Sequence, residues 1–416
     1  MANLASVQFK DPNTRATVVN EIFNLATKEE EDALDAGIID ETKYYCSHIM
    51  QRKVGQWSKK DKELLIDSLV KGIPIGNFVV VIEEEEDKNG NIRKIHYILD
   101  GIQRINALRE CFNGNYKLVA GCENIDATAK EIKEDAEFIK RLKHHIETYP
   151  IALSDCSGYT QKEIRELFIR TNGGKPLNPS QKEVTYLDVT LRKRLKAISD
   201  ITIPVTVKHF SYDNQELKDK EEIKDVLFWD KTAITALNCI RDMDRDIIMQ
   251  TLYLLYYKSG EEPKEYSTKF LYSTFGETLS NMPKEQLDKL FSRLEEAIKS
   301  VGKYLPSVKI KGYTKLKKTT LPFVLYSMDK INTAKGNKRA FAYALYKFCM
   351  TYTTNKEYSD IVSDGTSSMN SITNRRKYFS NLVSKMQVTE EDKRQLDDSL
   401  FLAVKEKKEE EEKATA

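Results

Sequence analysis

The stretch Tyr97-Ile98-Leu99-Asp100-Gly101-Ile102-Gln103-Arg104-Ile105-Asn106-Ala107-Leu108 changes its hydrophobic pattern at the glycine. Up to Leu99 it reads as an apolar strand. Beyond Gly101, residues Ile105, Leu108 and Cys111 recur as one helical face, which stops near Asn113-Gly114. Strand, tight glycine turn and helix form the predicted unit. A glycine lets backbone approach a ligand closely, and the first N–H groups of the following helix have no intrahelical acceptor, so the turn outlines an anion site. Arg104 in the first helical turn suits a bidentate contact to phosphate. Gln103 suits a base, a sugar or a metal-bound water, and Asp100 suits a divalent cation or the orientation of an attacking group. The same residues also describe an N-cap, a turn glycine and a surface charge, a reading any strand-turn-helix allows.

Working outward, Phe78-Val79-Val80-Val81-Ile82 predicts a strand, and Asp87-Lys88-Asn89-Gly90-Asn91 carries the Asn-Gly signal of a hairpin whose return strand leads into Asp100. Upstream, Ser58 is positioned to cap a helix through Lys71, stopped by Gly72 and Pro74. Downstream, helices are expected over 127–145 and 161–171 with a strand over 150–154. From about Val226 the pattern becomes helical, over 230–241, 244–257, 284–301, 321–331, 338–351 and 373–386. The expected class is α+β, with a first domain over 1–205, a mainly α-helical domain over 206–404 and a disordered charged tail over 405–416. The charged run 215–224 reads as a linker or a solvated helix.

Composition narrows the function classes. The chain has 416 residues and 40% hydrophobic content, enough for a sizeable core, and its 66 basic against 64 acidic side chains leave a net charge of +2. Any basic surface must therefore be local. The six cysteines form no C-x-x-C pair, and the five histidines show no H-x-x-x-H, H-E-x-x-H or His-Asn-His spacing. Free thiols in a reducing cytosol and no dedicated metal cage are expected. No Walker-type G-x-x-x-x-G-K-[ST] occurs. No signal-like or membrane-length apolar run is present, so a cytoplasmic protein without a membrane partner is expected.

Gly101-x-x-Arg104-x-x-Ala107 resembles the Gly-x-x-Arg-x-x-Ala box of the ParB/sulfiredoxin superfamily. More closely, Asp100-Gly101-Ile102-Gln103-Arg104 resembles the Asp-Gly-Gln-Gln-Arg box of the GmrSD-type restriction-endonuclease N-terminal-domain family, with Ile102 in place of the first Gln. Gln51-Arg52 followed by Trp57 is similar to that family's Gln-Arg-x-x-x-x-Trp element. Leu65-Ile66-Asp67-Ser68-Leu69 with Gly72-Ile73-Pro74-Ile75 is similar to the helix and exit turn that follow it. Phe168-Ile169-Arg170-Thr171-Asn172-Gly173-Gly174 is similar to its downstream Asn-containing loop, and Arg241 to Arg245 and Ser371 to Arg375 match late helical elements more weakly.

The resemblance implies a ParB/sulfiredoxin-like first domain in which separated segments meet at one pocket. Gln51, Arg52, Gly101, Arg104, Asn172 and Gly173 would bind nucleotide or phosphate there. Asp100, Gln103 and Arg104 would be catalytic, with Asp100 also a metal ligand. The implied cofactors are Mg²⁺ with ATP or another nucleotide, and the implied partner is DNA, in a bacterial cell or a phage-infected host; a homo-oligomer is left open. The implied activity is that of a nucleotide-dependent enzyme acting on DNA, by NTP hydrolysis, nuclease action or phosphoryl transfer to a modified base. The alternative is a non-catalytic, nucleotide-gated DNA-binding protein of ParB type.

In the second half, Lys309, Lys311, Lys315, Lys317 and Lys318 interleave with Val308, Ile310, Tyr313 and Leu316, which would set the lysines on one face of an extended segment. With Arg375 and Arg376 they are the candidate nucleic-acid contacts; a solvated basic loop explains them equally well. Trp57 reads as a core residue before a stacking platform, and His96 as a strand histidine before a general base.

Overall fold

The computed structural model describes residues 12–34, 36–46, 56–171, 181, 183–210, 220–257, 265–363 and 368–405. The chain divides into two compact units, Met1–Asn178 and Pro179–Ala416. The domain boundary expected after residue 205 falls inside a strand, Thr202–Phe210, whereas the observed division precedes the helix that leads into that strand. The tail expected to be disordered lies, beyond Lys405, outside the described residues.

The first unit runs β1 (Asn13–Val18), α1 (Val19–Ile22), α2 (Lys28–Leu34), β2 (Tyr44–Tyr45), α3 (Lys59–Val70), β3 (Asn77–Glu86), β4 (Ile92–Asp100), α4 (Ile102–Phe112), α5 (Ala129–Glu134), α6 (Ala136–Thr148), β5 (Pro150–Ser157) and α7 (Gln161–Thr171). Its sheet has the order β1-β5-β3-β4-β2, with β5 parallel to β3 and the β3–β4 pair antiparallel. On one face Phe78, Val80 and Ile98 join Leu65, Ile66, Ile105, Leu108 and Ile146 of α3, α4 and α6. On the other, Val79, Val81, Leu99 and Cys156 pack with Ile164 and Phe168 of α7. A central strand covered on both faces needs a continuous apolar run instead of an alternating one, and Phe78 to Ile82 supplies it. The class is α+β, as expected.

Local chemistry fixes the element ends. Ser58 and Asp61 form a reciprocal capping box on α3. In the hairpin, Asp87 accepts from the Asn89 and Asn91 amides while Gly90 takes φ 81°. The helix expected over 127–145 is broken at Asp135, whose carboxylate caps α6 through the Phe138 amide.

The second unit is built on α8 (Val189–Ser199), β6 (Thr202–Phe210), β7 (Lys220–Leu227), α9 (Met243–Tyr256), α10 (Lys284–Tyr304), α11 (Leu321–Thr333), α12 (Lys338–Met350), α13 (Lys356–Ser363), α14 (Met369–Ser380), α15 (Glu390–Ser399) and β8 (Leu402–Lys405), with shorter turns between them. The three strands make a sheet of order β7-β6-β8. The mainly helical reading of this half holds, and this small sheet is the part of it that the sequence pattern did not announce. The run expected as linker or solvated helix is in part β7, residues 215–219 lying outside the described set. As an edge strand β7 tolerates the charges of Glu-Glu-Ile-Lys-Asp, which also guard it against pairing with another chain. The helix expected over 230–241 is instead a 3₁₀ turn, Phe228–Lys231, followed by a short helix, Ala236–Ile240, with Thr235 as its cap. Trp229 is buried, and its indole N–H donates to the Ser199 carbonyl at 2.8 Å. Arg293 on α10 grips the buried Asp329 carboxylate on α11 with two bonds, Nε to Oδ1 at 3.0 Å and Nη2 to Oδ2 at 2.7 Å.

Candidate functional site

The turn at the head of α4 is shaped by a bulge just before it. Val79 pairs with Asp100 and Val80 with Ile98, so Leu99 is an extra residue on β4. Such a bulge bends a strand and redirects the residues that follow. Gly101 then takes φ 115° at the N-cap position, where its Cα sits so close to the Phe78 ring that a Cβ would lie 2.2 Å from Cδ1. Both features require glycine. Ile102, in the position of the family's first Gln, is 3% exposed and packs in the core beneath the turn. Gln103 is also buried, and its side-chain oxygen accepts from the Gln56 amide at 3.3 Å.

Arg104, the expected phosphate contact, is engaged by groups of the protein itself. Its Nη1 donates to the Ile75 carbonyl at 2.8 Å, and its Nη2 donates to the Asn77 carbonyl at 2.8 Å and to Asp100 Oδ2 at 2.9 Å. The guanidinium carbon stands 4.3 Å from the Phe78 ring centre. Gly76, at φ 84°, leaves room for it, since a Cβ there would lie 2.8 Å from Nη1. Burial pulls the Arg104 pKa down, and the Asp100 charge opposes that; a guanidinium stays charged regardless. Of the sequence-predicted trio, Asp100 and Arg104 pair with each other while Gln103 meets the Gln56 amide, and Arg104 is a brace that ties the end of β4 to the start of β3.

Gln51, Arg52, Asn172 and Gly173 lie outside the described residues. Among the described residues no three His, Cys, Asp or Glu side chains gather as a metal cage. Asp100 offers one carboxylate, with one oxygen already bound to Arg104. That donor set fits a Mg²⁺ carried largely by nucleotide phosphates and water, and does not fit a cation caged by protein.

His96 is half-buried with its ring 5.8 Å from that of Tyr44 in an edge-on contact, and burial lowers its pKa while Asp155 opposes the shift. Four residues of strand put it roughly 13 Å from Asp100, too far for proton transfer within this turn. Trp57 packs partly buried against the core. Sequence reasoning missed a polar cluster on the β1 side of the sheet. There Glu21 accepts from Arg15, Thr17 and Tyr44, and Arg15 Nε also reaches Asp155 at 3.2 Å. The Arg15 hydrogen bonds hold the Glu21 carboxyl down at about 2. Its sequence signal was weak, a short polar run Thr14-Arg15-Ala16-Thr17 in a segment with no assigned element.

In the helical unit, Lys309, Lys311, Lys315 and Lys317 are exposed while Leu316 is buried and Tyr313 stacks on Tyr346, so the expected alternation holds. The segment is not a strand, however: it is tied down by isolated backbone bonds such as Thr314 N–H to the Cys349 carbonyl. Lys315 donates to the Asp230 carbonyl at 2.7 Å, and Lys317 lies over the Tyr352 ring. Arg375 is a correction. It is 2% exposed, donates to the Ser371 and Thr319 carbonyls and stacks 4.4 Å from the Phe323 ring centre, so it serves the core and not a nucleic-acid face. Arg376 is half-buried beside it.

An α+β unit carrying Asp-Gly-x-Gln-Arg at a bulged strand, left-handed glycine and helix, followed by a helix-rich unit, defines the class of protein. The chain belongs to the family of GmrSD restriction endonuclease N-terminal domains, whose model matches residues 36–414, across both units. No curated protein and no solved structure matches the chain. Membership gives the protein a restriction-related role. No helix among the described residues is long and apolar enough to cross a membrane.

Proposed function

We propose that this protein is a nucleotide-dependent enzyme acting on DNA in a restriction or defence system, its chemistry being NTP hydrolysis, nuclease action or phosphoryl transfer to a modified base. The observation that carries this reading is the Asp100-Gly101 turn at the head of α4, in a chain matched by the family over nearly its whole length. In this reading Gln51, Arg52, Gly101, Asn172 and Gly173 hold the phosphates of ATP or another nucleotide, and Asp100 meets the Mg²⁺ they carry. Gln103 orients the attacking group. Arg104 acts as a positioning residue that keeps Asp100 and the turn in place, and the exposed lysines of the second unit meet the DNA backbone.

A second reading, a nucleotide-gated DNA-binding protein without turnover, is favoured by Ile102, which fills core where the family box has an amide. One experiment separates the two. ATP, GTP, CTP and UTP are offered to the pure protein with Mg²⁺, alone and with ordinary or 5-hydroxymethyluracil-containing DNA, while thermal shift, released phosphate, labelled DNA and strand breaks are followed. Stabilisation with turnover supports the enzyme, and stabilisation without it supports the gate. If no nucleotide stabilises the protein, or if Arg52→Ala is stabilised as well as the wild type, both readings fall.

A further inference from the structure

The second unit contains a cleft of about 500 Å³ between its small sheet and the segment after α10. Each strand gives it one apolar side chain, Val205 of β6, Val226 of β7 and Leu402 of β8. Val308, Ile310 and Tyr313 close the opposite wall. A volume of this size lies in the usual range for small-molecule sites, roughly 300–1,000 Å³.

Lys231 also lines this cleft and is only 5% exposed. It ends the 3₁₀ turn whose Phe228 and Trp229 are anchored in the core, so its backbone is fixed. Among the described residues it makes no hydrogen bond or ion pair, unlike the buried Arg375 and the half-buried Arg104. Burial alone pulls its pKa to about 8. An ammonium in a largely desolvated cleft without a partner among the described residues is costly, and that cost falls when an anion sits beside it. Lys309 and Lys315 stand exposed on the lining, Lys315 held by the Asp230 carbonyl. They add a positive field that draws anions in. Asp230 is the acid of the lining, and its side chain is exposed.

We propose that this cleft binds a small organic anion, with Lys231 holding a carboxylate or phosphate group and the apolar walls holding its body. The proposal concerns a site in the helical unit and does not depend on the nucleotide reading of the Asp100-Gly101 turn.

The test uses the full chain in calorimetry with octanoate, dTMP and inorganic phosphate, and with octanol and thymidine as uncharged counterparts. Octanoate or dTMP is expected to bind at least ten-fold more tightly than its uncharged counterpart and than inorganic phosphate, and the two arms tell a carboxylate site from a phosphate site. Lys231→Met, an apolar side chain of similar length, is expected to stay folded and to lose that preference. As an independent readout in the wild type, limited acylation near pH 8 followed by mass spectrometry is expected to label Lys231, and the bound anion is expected to block the label. Equal binding to Lys231→Met, equal binding of octanol and thymidine, phosphate binding as well as dTMP, or labelling of Lys231 unaffected by the anions would each overturn the proposal.

Discussion

The Phe78 ring touches the Asp100-Arg104 turn at both ends: its Cδ1 leaves no space for a Cβ on Gly101, and its face lies 4.3 Å from the Arg104 guanidinium carbon. One aromatic side chain on β3 thereby locks the head of α4 onto the sheet, and the polar contacts of Arg104 complete the lock.

Replacing Arg104 with Ala would leave two β3-side carbonyls and the Asp100 carboxylate without their donor. A loss of roughly 2–4 kcal/mol in urea unfolding is expected, and Arg104→Lys, a single point donor, should recover only part of it. Unchanged stability of Arg104→Ala would mean that the brace is not structural.

Gly101→Ala combines a left-handed backbone at φ 115° with a Cβ placed 2.2 Å from Phe78. Left-handed strain and overpacking together predict a loss of roughly 2–5 kcal/mol. Gly72→Ala is the control: it has φ 69° but nothing within 4 Å of the added Cβ, and should cost only about 1 kcal/mol. Similar losses at the two positions, read as unfolding midpoints at constant m, would remove the Phe78 ring from the argument.

Glu21 titrates at about 2 in the folded protein against an ordinary value of 4.5, chiefly because Arg15 bonds its ionised form. The unfolded chain binds more protons between those values, so the stabilisation is complete above pH 4.5 and is lost as pH falls towards 2. Glu21→Gln should flatten the acid limb of the stability curve in that window. A curve parallel to the wild type would show that the cluster contributes nothing. Because about a third of the Glu21 side chain is exposed, the effect is smaller than the full shift implies.

Lys231 shows the opposite window. Its pKa is about 8 folded and 10.5 ordinarily, so the unfolded state again binds more protons, and the native state gains stability as pH rises from 8 to 10.5. Relative to Lys231→Met, wild-type stability should rise by on the order of 1–3 kcal/mol over that interval. A constant difference between the two proteins would show that the lysine is not desolvated.

For the lysine segment, changing Lys309, Lys311, Lys315 and Lys317 together to Ala should weaken DNA binding and reduce the slope of log K against log salt by about 0.9 for each phosphate that is no longer neutralised. Arg375→Ala should instead destabilise the unit, since its guanidinium bonds two core carbonyls. A salt slope that moves with Arg375 and not with the lysines would reverse this assignment.

The readable parts of this protein were those set by neighbours in sequence. Ser58 with Asp61, Asp87 with Asn89-Gly90, and Gly101 before Ile105 and Leu108 act over a few residues, and each element they announced formed. One edge strand of each sheet was harder. In β1 and β7 the side chains are polar or charged because one side of each edge meets solvent, so no apolar alternation marks them. The turn at Asp100-Gly101 was legible as local structure, while the protein partners of Arg104 and the burial of Arg375 were not.

The sequence by itself determined that an apolar strand breaks at a glycine into a helix, that Asp100, Gln103 and Arg104 share that turn, and that lysines alternate with apolar residues after α10. Only the tertiary structure decided what those charges do. Two of the three acceptors of Arg104 lie 27 and 29 residues away and one of those of Arg375 lies 56 away, so burial and much of the pairing are products of packing between distant segments. A cationic side chain carries no local mark of whether it will face a phosphate, a carbonyl or, as at Lys231, an apolar cleft with no partner among the described residues.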